Sequence, residues 1–148
     1  MTEIRVSDAA LGDADGVFRA AVEHLARKLS AIQPLDPATI PSERVAAIAA
    51  LDVWAAGRMG SWRTELVRFY EAHAPSALRP DPALNAVLRR ARRAGVRIVV
   101  VSPLPREAAE LYCAQLGVAR AVAAILAEGE EAAEPVIASR AALAAALA

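Results

Sequence analysis

Two carboxylates stand two residues apart in Asp13-Ala14-Asp15, with Gly16 and Val17 directly behind them. In a loop at the end of a strand, such a pair can point the same way. One acid can then attack an electrophilic centre while the other moves a proton to or from the leaving group. Carboxylate oxygens also suit a hard divalent cation such as Mg2+, which neutralises charge as it develops. The same two residues have a plainer use as acids at a helix N-terminus, where free N–H groups and the helix dipole favour them. Ser102 is the third candidate, at the carboxyl end of an apolar run, where open parallel sheets place their ligands; it can equally cap the helix that follows. Arg89, Arg90, Arg92 and Arg93 cluster on the outer face and last turn of one helix, where they complement the dipole. His24 and His73 have no Cys or His partner at metal spacing. Cys113 lies mid-helix beside Tyr112 with no basic neighbour, and reads as a core thiol. Trp54 and Trp62 read as packing residues.

The elements that position these residues centre on Arg79 to Gly117. Asp81 is an N-cap, Pro82 takes the first helical position, and Leu84, Val87, Leu88 and Ala91 share one face of a helix that ends at Gly95. Val96-Arg97-Ile98-Val99-Val100-Val101 follows, a β-branched strand expected to be buried on both faces. A second helix begins near Pro105 and stops at Gly117. Upstream, a strand is expected within residues 3–12, then a helix from the Asp13 region to Ser30 or Ile32. A loop spans Gln33 to Pro41. Residues 42–73 form a helical pair broken at Gly57 and Gly60, the second member capped by Ser61. After Gly117 come a strand within Ala121 to Ala127, a polar turn at 128–131 and a last helix capped by Ser139. The expected architecture is α/β: a small doubly wound, Rossmann-like parallel sheet. Its core comprises residues 1–32 and 76–148, with 33–75 as an inserted helical cap.

The 148 residues suffice for one domain, and the formal net charge of zero gives no whole-molecule field towards nucleic acid or an anionic membrane. Hydrophobic residues make up 56% of the chain but aromatic ones only 4%, so the core rests on Ala, Val and Leu. One cysteine excludes an internal disulfide and suits a reducing compartment. No apolar run approaches the length of a membrane span and the MTEIR start lacks a signal peptide's pattern, which together point to the cytoplasm.

The order DADGV, small helical insert, helix, GVRIVVVS, helix, LG resembles the haloacid dehalogenase (HAD) superfamily. The resemblance implies that Asp13 is the nucleophile and Asp15 the general acid/base, and that both are metal ligands. Gly16 would lie behind them in the phosphate loop, Ser102 would hold the phosphoryl group, and Mg2+ would assist. The family's third motif is a Lys or Arg that holds phosphate and nucleophile. Here no lysine follows Lys28, Glu134-Pro135 stands where a Lys-Pro pair is common, and Arg140 or Arg120 must substitute. The fourth motif is an acidic pair on a later strand, and this chain has no Asp after Asp81. Gly12 replaces a bulky apolar residue, and Pro103 a small polar one.

Two functions follow. The first is Mg2+-dependent hydrolysis of a small phosphorylated metabolite through an aspartyl nucleophile. The alternative is a catalytically inactive HAD-like binding or assembly subunit that works through protein contacts. A homo-oligomer or a complex with another chain is expected to cover the open edge of the first strand. A plain flavodoxin-like binding domain is the third class, and no glycine-rich phosphate loop supports it.

Overall fold

The β-branched run takes the centre of the sheet. In the computed structural model, which describes residues 2–56 and 61–148, β1 is Glu3–Ser7, β2 is Arg97–Val101 and β3 is Ala124–Leu126. The order is β1-β2-β3 and both pairings are parallel, with Val6 opposite Val100 and Val100 opposite Ile125. Ile98, Val99 and Val100 are buried in succession, which requires cover on both faces of the sheet. The fold is α/β, as the alternation of helical and strand periodicities implied.

Among the described residues six α-helices supply the cover: α1 (Ala14–Leu29), α2 (Arg44–Ala55), α3 (Trp62–Ala77), α4 (Pro82–Arg93), α5 (Arg106–Gln115) and α6 (Arg140–Ala146). Asp81 caps α4, accepting from Ala83 N and Leu84 N, and Ser139 caps α6, accepting from Ala142 N. Gly117 ends the α5 turn at φ +76, where a Cβ would also come within 2.9 Å of Asn85 Nδ2. Helix α3 packs against α1 and α5, so Leu66, Phe69 and Tyr70 join one apolar core with Val22, Leu25, Ala108 and Tyr112. Ser61 stands before α3 without making a side-chain cap. The breaks expected at Gly57 and Gly60 lie outside the described residues. No helix among the described residues is long and apolar enough to cross a membrane.

The first strand lies within the expected residues 3–12: it ends at Ser7, and Asp8–Ala10 turns away as a short 3-10 helix. One expectation needs correction. The outer edge of β1 is not bare. Ser7 N donates to Ile137 O and Ile137 N to Arg5 O, both at 2.8 Å, because the segment before α6 lies parallel to β1.

Candidate functional site

The carboxyl ends of β1 and β2 meet at Asp8. It is the first residue beyond β1, is 0% exposed, and is held from several directions. Arg44, at the start of α2, donates Nη1 to Oδ2 and Nη2 to Oδ1, each at 2.6 Å. Ser102, the first residue beyond β2, donates Oγ to Oδ2 at 2.8 Å and accepts from Leu104 N at 3.2 Å. The Tyr112 hydroxyl of α5 donates to the Asp8 carbonyl at 2.7 Å. A carboxylate with no water contact needs its charge matched and donors for its oxygens, and this shell supplies a guanidinium and three hydrogen bonds.

The electrostatics agree with that accounting. Burial alone would lower the Arg44 pKa. The hydrogen bonds and charge of Asp8, helped by Asp15, outweigh it and raise the value, so the guanidinium keeps its charge. Burial first, then the Asp8 charge, raises the Tyr112 hydroxyl above its ordinary range, which keeps it protonated as a donor. Tyr70 is raised by burial and by Asp8, against the opposing effect of Arg44. Two clefts of about 710 and 450 Å3 flank the ion pair and share Ser7, Glu43 and Arg44.

The residues picked out from sequence are distributed otherwise. Asp13 is exposed at the N-cap of α1, where Oδ1 accepts from Gly16 N at 3.0 Å. The strand-end position imagined for it is filled by Asp8, five residues earlier. Asp15 lies in the first turn of α1 with its side chain 76% exposed, its Oδ1 at 3.2 Å from Arg44 Nε. The Gly16 N–H is taken by the Asp13 cap. Arg140 donates Nε to Ala10 O and Nη2 to Leu11 O, and pairs with Asp81 Oδ2 at 2.6 Å, so it braces the loop that follows Asp8. Of the expected set, only Ser102 touches the strand-end carboxylate. In the helical insert, Arg63 pairs with Asp52 and Glu128, and Glu65 pairs with Arg68.

Asp8 and Arg44 were missed from sequence. The available signal was the alternation Ile4, Val6 stopping at Ser7, which makes Asp8 the residue at the carboxyl end of the strand. The partner was out of reach, since 36 residues separate Arg44 from Asp8.

Residues 9–147 match the family model of haloacid dehalogenase-like hydrolases. The chain belongs to that family. No curated protein matches it by sequence. Among solved structures it is similar to a protein assigned as a beta-phosphoglucomutase from Thermotoga maritima. That match has 12% identity and a TM-score of 0.52, and it covers 90% of this chain. The chain spans 64% of that structure's length. At this identity the likeness is one of fold, and it agrees with a Rossmann-like sheet.

HAD-family hydrolases generally use Mg2+, and the donor set here does not suit the ion. Asp8 spends both oxygens on a guanidinium, with Ser102 on one of them, and the residue two positions on is Ala10 rather than a second acid. Asp13 is turned into its own helix cap, and Asp15 faces Arg44. Among the described residues no three His, Cys, Asp or Glu side chains converge as metal ligands. A cation at Asp8 would have to displace Arg44, which is already an obligate counter-charge in a buried place.

Proposed function

We propose that this HAD-family domain serves as a binding or assembly subunit in which the hydrolytic site of the fold is closed. The observation that carries the reading is the buried Asp8–Arg44 pair at the strand ends, 1% and 8% exposed at its side chains. An attacking carboxylate must present an accessible oxygen to its electrophile, and the Asp8 side chain is buried behind Arg44 and Ser102. If the family's DxDG spacing is counted from the end of β1, the pattern reads Asp8-Ala9-Ala10-Leu11. The acid/base position then holds Ala10, which can neither give nor take a proton. Of the two flanking clefts, the smaller has a charged lining of Glu43, Glu128, Glu130 and the committed Arg44, and the larger adds Arg19, which donates to Ile40 O and Pro37 O. Losing one charge-stabilising donor typically costs about 100- to 1,000-fold in rate, and here the base, the cation and the metal are compromised together.

In this reading residues 33–75 form a cap-like segment whose first helical residue, Arg44, plugs the crevice. The test is hydrolysis of p-nitrophenyl phosphate with Mg2+ and with EDTA, running Asp8→Asn and Asp13→Asn beside the parent chain. The expected result is a rate equal to the protein-free blank in every case. Mg2+-dependent turnover that either substitution abolishes would overturn the proposal and restore aspartyl phosphoryl transfer, with the substituted residue as nucleophile.

A further inference from the structure

Helix α4 ends with more positive charge than its own dipole can use. Arg89, Arg90, Arg92 and Arg93 are all exposed, and the helix carries no acidic side chain between Pro82 and Arg93. A helix carboxyl end presents about half a negative charge, which offsets less than one guanidinium. Leu84, Leu88 and Ala91 face inward, so Arg89, Arg90 and Arg93 project outward at i, i+3 and i+4 spacings, where like charges repel. Arg92 donates to the carbonyl of Arg120, and a fifth exposed arginine thereby stands beside the end of α4. Among the described residues none of the five forms an ion pair. Glu3, at the same end of the sheet, is already shared by Arg5 and Arg97.

The position of this charge separates it from the closed crevice. Strand β2 begins directly after the turn that Val96 N closes on Ala91 O, so the arginines lie at the amino ends of the strands, opposite Asp8. The formal net charge of the chain is zero. The acids that balance this end include Glu128, Glu130, Glu131 and Glu134, which follow the carboxyl end of β3. The positive end is therefore left to be matched from outside the chain.

We propose that the end of α4 is a docking surface for an acidic helix of a partner protein, whose Asp or Glu side chains pair with Arg89, Arg90 and Arg93. A guanidinium fork binds a carboxylate through two parallel hydrogen bonds. Carboxylates three or four residues apart on a helix repeat at the same spacing of roughly 5–6 Å as these arginines. Nucleic acid fits less well: neither α4 nor the 118–123 loop carries an aromatic side chain on which a base could stack. A membrane surface fits less well too, because the apolar face of α4 is buried and the exposed large hydrophobic residues, Ile32, Val45 and Val53, belong to other elements. That the partner is a protein rests on the assembly reading, but peptide binding is measured apart from hydrolysis, so either can fail alone.

The experiment is fluorescence anisotropy of a fluorescein-labelled helical peptide of Ala and Glu, titrated with the full chain. Ionic strengths of about 0.01 and 0.15 M screen charges over about 30 and 8 Å respectively. The parent is compared with the double variant Arg89→Gln/Arg93→Gln and with Arg68→Gln, a control that lies on α3 and pairs with Glu65. The expected results are binding by the parent that weakens as salt rises and is unchanged in Arg68→Gln. An exposed ion pair is worth up to about fivefold in affinity, so the double variant should bind about 2- to 30-fold more weakly. No binding at low salt would overturn the proposal, and so would a double variant that binds as well as the parent or an equal loss in Arg68→Gln. A short DNA duplex, or vesicles containing phosphatidylserine, that bound more tightly than the peptide at the higher salt through the same two arginines would assign them to phosphate and overturn it as well.

Discussion

Replacing Arg44 with Met tests the central feature of the structure, because it keeps an apolar stem of similar length while removing the charge. In the parent, Arg44 makes two 2.6 Å hydrogen bonds to Asp8. The substitution leaves a fully buried carboxylate with Ser102 Oγ as its one remaining side-chain donor. Hydrogen bonds to charged groups contribute about 1.5–3 kcal/mol each, so two of them lost suggests about 3–6 kcal/mol. Independently, breaking a buried ion pair by removing one partner costs about 3–5 kcal/mol. The estimates overlap near 4 kcal/mol, a large share of the roughly 5–15 kcal/mol that holds a domain folded. Urea unfolding followed by tryptophan fluorescence suits the measurement, since Trp54 and Trp62 both lie in the helical pair that Arg44 anchors. Asp8→Asn and the double variant complete a cycle, in which the double variant should cost at least about 1 kcal/mol less than the sum of the singles. An Arg44→Met loss under about 1 kcal/mol, or strict additivity, would mean that the pair is neither buried nor coupled in solution, because exposed pairs are worth about 0–1 kcal/mol. The closed-site reading would fall with it.

Three further outcomes are expected. Asp13→Ala should destabilise the fold by about 1 kcal/mol through loss of the α1 cap while Asp13→Asn stays near the parent; thermal melts separate the two, and equal losses would refute the capping role. Burial, with lesser contributions from Asp8 and Glu110, pushes the Cys113 thiol up to about 12, so Ellman's reagent at pH 8 should react only after unfolding, and prompt native-state labelling would contradict the packing of α5. Arg63→Ala removes pairs to Asp52 and Glu128 in a partly exposed place and should cost about 1 kcal/mol or less. The Asp52 pKa is lowered, chiefly by its hydrogen bonds with Arg63. A carboxyl depressed in the folded state adds stability above its unfolded value near 4 and loses it as pH falls further. The difference between parent and Arg63→Ala should therefore shrink from pH 6 to pH 3, and a constant gap would assign the loss to the stacking of the Arg63 guanidinium over the Trp62 ring, 4.5 Å from its centroid.

The elements were legible where their signals were local. Asp81-Pro82 capping α4, the β-branched run of β2 and the glycine stop at Gly117 each depend on residues within one turn of each other. The site was not legible, because its chemistry is assembled from residues 8, 44, 102 and 112, whose pairing no spacing records. The acidic pair at 13 and 15 drew the reading because DADGV copies a motif's letters. Position relative to the strand end decides chemistry, and the weak propensity of residues 3–12 hid where that end lay.

That displacement by five residues puts a buried ion pair, rather than a solvent-facing acid, at the end of β1. A buried Asp at the end of a parallel strand needs a counter-charge. Where no lysine or metal supplies one, the first residue of the next available helix can. Arg44 does so with two 2.6 Å hydrogen bonds, and the pair ties the first residue of α2 to the end of β1 across 36 positions of sequence. Arg44→Met, if it folds at all, should therefore free the start of α2 as well as exposing Asp8, and amide hydrogen exchange in α2 should become faster than in the parent; unchanged protection would mean that the helix is held without the ion pair.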